Sequence, residues 1–131
     1  MNLLIIEDEP QAASRLEHLI LELLPQAKVL GKIDSVKNAV QWFRENPSPD
    51  VTLMDIQLAD GTGFEIFKQC DVRSPVIFTT AYDQYALQAF KVNSVDYILK
   101  PVDKGELNAA LKKLRFFSGG SAEKEEMLRN I

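Results

Sequence analysis

Short apolar runs and amphipathic stretches alternate along the chain. Runs cover about Asn2 to Ile6, Ala27 to Ile33, Val51 to Met54, Pro75 to Thr79 and Val95 to Leu99. Apolar runs this short, bounded by turn residues, read as strands. The stretches between them read as helices: about Pro10 to Leu24, Ser35 through Arg44, Phe64 to Gln69, Asp83 to Lys91 and Lys104 to Phe116. Pro10 suits a first helical turn, Ser35 offers an N-cap, and Asn46-Pro47-Ser48-Pro49 closes the second helix. Asp60-Gly61-Thr62-Gly63 predicts a tight loop, because glycine permits backbone angles that other residues avoid. Strand and helix in strict alternation predict an α/β domain, a parallel sheet doubly wound by helices through right-handed crossovers. After Phe117 the composition turns to Ser118-Gly119-Gly120-Ser121, a flexible linker signal, and Ala122 to Ile131 is charged with few apolar residues. The division is therefore a domain over 1–117 and a linker over 118–131.

The predicted strands end in polar residues. Glu7 and Asp8 follow the first, Asp55 the third, Thr79-Thr80 close the fourth, and Lys100 follows the fifth. In one parallel sheet these ends share the carboxyl edge, where open α/β sheets bind ligands. Two carboxylates about 4 Å apart repel by about 4 kcal/mol at an effective dielectric near 20, so Glu7, Asp8 and Asp55 together need counter-charge. Lys100 supplies one positive charge and a divalent ion the next. Oxygen donors without His or Cys favour a hard ion, Mg²⁺ or Mn²⁺ over Zn²⁺. An aspartate so neutralised can attack phosphorus, which makes Asp55 the candidate phosphoacceptor. Thr80 precedes small Ala81, leaving its hydroxyl room to reach one phosphoryl oxygen, and Lys100 can bond another. If the Lys100-Pro101 peptide is cis, it turns the chain sharply there. Singly, each residue has an ordinary explanation as a helix cap, a first-turn acid or a surface charge. Their joint placement at four strand ends carries the argument.

Composition narrows the setting. At 131 residues, 46% hydrophobic and 26% charged, the chain has the size and balance of one globular domain. No apolar stretch approaches the roughly 20 residues a membrane helix needs, and the N-terminus runs straight into a strand, so a cytoplasmic location is expected. Cys70 is the single cysteine and His18 the single histidine. Cys70 is expected to pack near a helix end and His18 to lie on a helix surface or half-buried. A net charge of −4 lacks the basic footprint of a nucleic-acid binder.

Five stretches then carry a family likeness: Ile5-Ile6-Glu7-Asp8-Glu9-Pro10, Met54-Asp55-Ile56, Gly61-Thr62-Gly63-Phe64-Glu65, Thr79-Thr80-Ala81 and Asp96-Tyr97-Ile98-Leu99-Lys100-Pro101. Over about residues 1 to 117 the chain resembles the receiver domain of a bacterial two-component response regulator. The segment from Phe78 to Phe90 resembles receivers attached to LytTR-type (LytR/AlgR-like) DNA-binding domains. The resemblance implies a flavodoxin-like (βα)5 fold with strand order 2-1-3-4-5. It implies that Asp55 takes a phosphoryl group from a sensor histidine kinase, assisted by Lys100 and Thr80. It also implies that Mg²⁺ is held by Asp8, Asp55 and the backbone carbonyl of Gln57, with Glu7 acting directly or through water. Thr80 and Tyr97 match the switch pair, which reshapes the face of helix four, strand five and helix five. The implied output is a homodimer through that face, with Gln84, Gln88, Lys91, Lys104 and Asn108 as surface contacts. DNA would be reached only through a further C-terminal domain.

This sequence departs from the family pattern twice. Glu7 replaces the more usual Asp, a longer arm that alters metal geometry, and Ala59 stands where many receivers have Pro, which predicts a more mobile loop. Two other functions compete. A haloacid-dehalogenase-type phosphatase also uses an aspartate nucleophile, but it carries a second Asp two positions later, where this chain has Gln57. A receiver-shaped protein-binding module that works without phosphorylation is the other alternative. Neither Gln57 nor Tyr82, two positions after Thr80, can activate water, and Tyr82 is bulky enough to shield an acyl phosphate.

Overall fold

The computed structural model of the protein describes residues 1–81 and 94–118, with side-chain surroundings through Leu114. Its sheet strands are β1 (Asn2–Ile6), β2 (Lys28–Ile33), β3 (Val51–Asp55), β6 (Val76–Thr80) and β7 (Ser94–Leu99). They are parallel and ordered β2-β1-β3-β6-β7. Two further strands, β4 (Gln57–Leu58) and β5 (Gly61–Thr62), form a separate antiparallel ribbon. With the ribbon set aside, the sheet has the expected flavodoxin-like order. β3 and β6 are buried along their whole length, as central strands covered on both faces must be.

Alternation along the strands divides the core. Leu3, Ile5, Leu53, Ile77 and Ile98 pack with Leu16 and Ile20 of α1 (Pro10–Leu23) and with Leu107 and Leu114 of the helix Lys104–Ser118. Their neighbours Leu4, Ile6, Met54 and Phe78 pack on the other face with Val36, Ala39 and Val40 of α2 (Val36–Glu45) and Phe64 and Ile66 of α3 (Phe64–Gln69). The period of two is the pleat of the strand, and it gives each strand two apolar faces.

The elements begin and end for local reasons. Pro10 opens α1, which buries Ala13, Leu16, Leu19 and Ile20 at helical spacing. Ser35 caps α2 by accepting from the Asn38 amide at 3.1 Å. Predicted boundaries hold to within two residues over the described elements; the helix from Lys104 continues through Ser118, one residue into the stretch read as linker. The helix expected over 83–91, Tyr82, and the linker from 119 onward lie outside the described residues. Among the described residues no helix is long and apolar enough to cross a membrane.

His18 is on the surface of α1, 2.6 Å from Glu22. Cys70 is half-buried at the end of α3, its thiol donating to the Ile66 carbonyl; burial pushes the thiol above its ordinary value. Lys104 is exposed and reaches Glu22 of α1 at 2.7 Å. The dimer contacts expected at Gln84, Gln88 and Lys91 lie outside the described residues.

Thr79 was not singled out as a buried polar group. Its residue is fully buried, and its hydroxyl finds no hydrogen-bond partner among the described residues. A buried hydroxyl without a partner loses its solvation for nothing in return. Thr79→Val, nearly the same shape, is expected to raise the urea midpoint by an amount equivalent to about 1 kcal/mol. A lower midpoint would mean the hydroxyl is used.

Candidate phosphoacceptor site

The carboxyl edge of the sheet assembles the site through the same alternation. Glu7 continues the row of Leu3 and Ile5, Asp55 that of Val51 and Leu53, and Lys100 that of Ile98. All three therefore meet above the core face shared with α1. Lys100 Nζ donates to Glu7 and, at 2.9 Å, to Asp55 Oδ2. The other Asp55 oxygen, Oδ1, accepts from the Gln57 backbone N–H at 3.0 Å. Glu7 Oε2 accepts from the Glu9 amide at 3.2 Å. Both buried carboxylates are thus hydrogen-bonded at their two oxygens, which a buried charge requires.

Asp8 completes the cluster. Ligand oxygens of Glu7, Asp8 and Asp55 all lie within 4.8 Å of one another. Burial, then the hydrogen bond and charge of Glu7, raise the Asp8 carboxyl above its ordinary value. Burial opposes the charge on Lys100, but its hydrogen bonds to Glu7 and Asp55 and their charges outweigh it, so the ammonium sits above the ordinary lysine value. When ionised, three carboxylates against one ammonium leave two negative charges. An all-oxygen cluster of that charge suits a hard divalent cation.

Thr80 is the last residue of β6 and is fully buried, so the strand runs one residue further than predicted. Its carbonyl accepts from the Lys100 amide at 2.7 Å, which ties the two strand ends together. Tyr97 pairs with Phe78 in register and packs partly buried against the α2 and α3 core. Thr80, two residues beyond Phe78, belongs to the same sheet face. The Lys100-Pro101 peptide is cis.

The loop after Asp55 is more structured than its residues suggested. Gly63 N donates to the Ile56 carbonyl at 2.7 Å, closing the loop around the β4–β5 ribbon. Gly61 has φ +151°, a backbone conformation that only glycine adopts easily. Gly63 is needed for a different reason: a Cβ there would lie 2.9 Å from the Asp55 carbonyl oxygen. Asp60, beside Ala59, accepts from the Val36 amide at 2.7 Å and the Lys37 amide at 3.0 Å. Sequence reasoning missed that contact, because no local pattern connects residue 60 to the start of α2.

Residues 3–112 match the family described as response regulator receiver domain. The chain is 41% identical over 118 residues to the sensory transduction protein LytT of Bacillus anthracis, covering 88% of this chain and 47% of that protein. It is 38% identical over 116 residues to the positive alginate biosynthesis regulatory protein of Pseudomonas aeruginosa, covering 86% of this chain and 46% of that protein. The chain thus spans about half the length of these curated relatives. Among solved structures it is similar to the response regulatory domain of mrkE from Klebsiella pneumoniae, with TM-score 0.78 and 26% identity over 95% of this chain and 99% of that one.

Proposed function

Because the chain belongs to the response regulator receiver domain family of two-component systems, we propose that Asp55 accepts a phosphoryl group from the phosphohistidine of a sensor histidine kinase. The observation that carries the reading is the holding of Asp55. One oxygen is fixed by Lys100 and the other by the Gln57 amide, beside two further carboxylates. An Asp55 oxygen forms the new bond to phosphorus as the bond to the donor's nitrogen breaks. Lys100 stabilises the charge on the transferring oxygens, and the Thr80 hydroxyl bonds to the phosphoryl group once it has arrived. Asp8, Asp55 and the Gln57 carbonyl would hold Mg²⁺ or Mn²⁺, with Glu7 acting directly or through water. When bound, the ion neutralises phosphoryl charge.

The phosphoryl group brings nearly two negative charges and three acceptor oxygens to the sheet edge. Thr80 and Tyr97, on one face of the sheet, are the switch pair through which that charge reshapes the surface of β7 and the helix Lys104–Ser118. The output is homodimerisation through this surface and control of an attached DNA-binding domain in the cytoplasm. This is signalling by self-catalysed phosphotransfer, without turnover of an external substrate. Incubation with acetyl phosphate in Mg²⁺ and in excess chelator tests the reading. Labelling in Mg²⁺ that falls to background in chelator is expected. Equal labelling under both conditions, or none in either, contradicts it.

A further inference from the structure

Asp60 lies in the loop after Asp55, but its carboxylate serves another element. It accepts from the backbone amides of Val36 and Lys37, the first two residues of α2, at 2.7 and 3.0 Å. Ser35 Oγ takes the third, that of Asn38, at 3.1 Å. The Ala39 amide then makes the first bond of the helical ladder, to the Ser35 carbonyl. The amides that an α-helix leaves unpaired at its start are here shared between a local cap and a distant loop. The Val36 bond, foremost, and then that of Lys37 draw the Asp60 carboxyl below its ordinary value, although slight burial opposes them. A carboxylate at this helix end is also favoured by the dipole.

The consequence falls on the loop. Between Asp55 and Gly63 the chain carries the Gln57 amide that holds Asp55 Oδ1, and its own closure is the ribbon and the Gly63-to-Ile56 bond. Those contacts set the loop's shape; the Asp60 bonds set its position against α2. We propose that Asp60 is a positioning residue that moors the 56–63 loop to the start of α2 and so presets the Gln57 backbone for the ion and the phosphoryl group. This inference rests on the phosphoacceptor reading of the Asp55 cluster.

Asp60→Ala, Asp60→Asn and Ser35→Ala in the 131-residue chain test it. Supporting groups behind a metal ligand typically shift affinity by an order of magnitude, so Asp60→Ala is expected to raise the Mg²⁺ dissociation constant about tenfold. Asp60→Asn, which keeps one carbonyl oxygen as acceptor, is expected to fall between parent and alanine variant. Ser35→Ala removes a cap from the same helix without touching the loop; it is expected to lower the unfolding midpoint and leave Mg²⁺ affinity unchanged. Equal effects of Asp60→Ala and Ser35→Ala on Mg²⁺ binding, or none from Asp60→Ala, would overturn the mooring and leave Asp60 as a helix cap. If the parent itself bound no Mg²⁺, the phosphoacceptor reading would fail instead. Amide exchange over 57–63 then decides the mooring alone: faster exchange in Asp60→Ala but not in Ser35→Ala supports it, and unchanged exchange rejects it.

Discussion

Replacing Lys100 with methionine is expected to destabilise the domain by about 3 kcal/mol and to slow phosphoryl uptake by Asp55 about a hundredfold. Both effects come from one nitrogen. The Glu7 side chain is completely enclosed and that of Asp55 is 6% exposed, while Lys100, 23% exposed, bonds to both. Methionine retains the length and most of the apolar stem but removes the charge, so two buried carboxylates remain without their shared partner. Removing one side of a buried ion pair costs more than the pair contributed, because the other side stays desolvated. Mg²⁺ should therefore recover more stability in the variant than it adds to the parent, since it offsets the same surplus of negative charge. Urea unfolding with and without Mg²⁺ measures this directly. A variant as stable as its parent in chelator would contradict the role of Lys100 as the shared partner of the two carboxylates.

Replacing Asp55 with asparagine is expected to bring phosphoryl uptake to background while leaving the fold intact. The amide fills the same space, and its oxygen can still accept a hydrogen bond, but it is no nucleophile toward phosphorus. Stability should change little because two effects oppose each other. Lys100 exchanges one carboxylate partner for a weaker amide, whereas Glu7 and Asp8 lose a like charge within 4.8 Å. A folded variant that no longer takes up label separates chemistry from unfolding.

Much of this site was legible in the sequence because it depends on strand ends. An apolar run that stops at Glu7, Asp55, Thr80 or Lys100 already fixes which residue reaches the sheet edge, and parallel order brings those edges together. The pleat then decides which face each side chain takes, and here it placed Glu7, Asp55 and Lys100 on one side. What could not be read is what depends on contacts between segments distant in sequence. The Asp60 bonds to Val36 and Lys37 join a loop to a helix more than twenty residues earlier. The β4–β5 ribbon has strands of two residues, too short to show any period. Thr79 gave no warning that its hydroxyl would lack a partner among the described residues, since threonine is an ordinary strand residue.

The most direct test of the account is intact mass after incubation of the parent and Asp55→Asn with phosphoramidate and Mg²⁺. The parent is expected to gain the mass of a single phosphoryl group and the variant none. An equal gain in both would place the phosphoryl group on another residue, and no gain in the parent would contradict the assignment of Asp55 as phosphoacceptor.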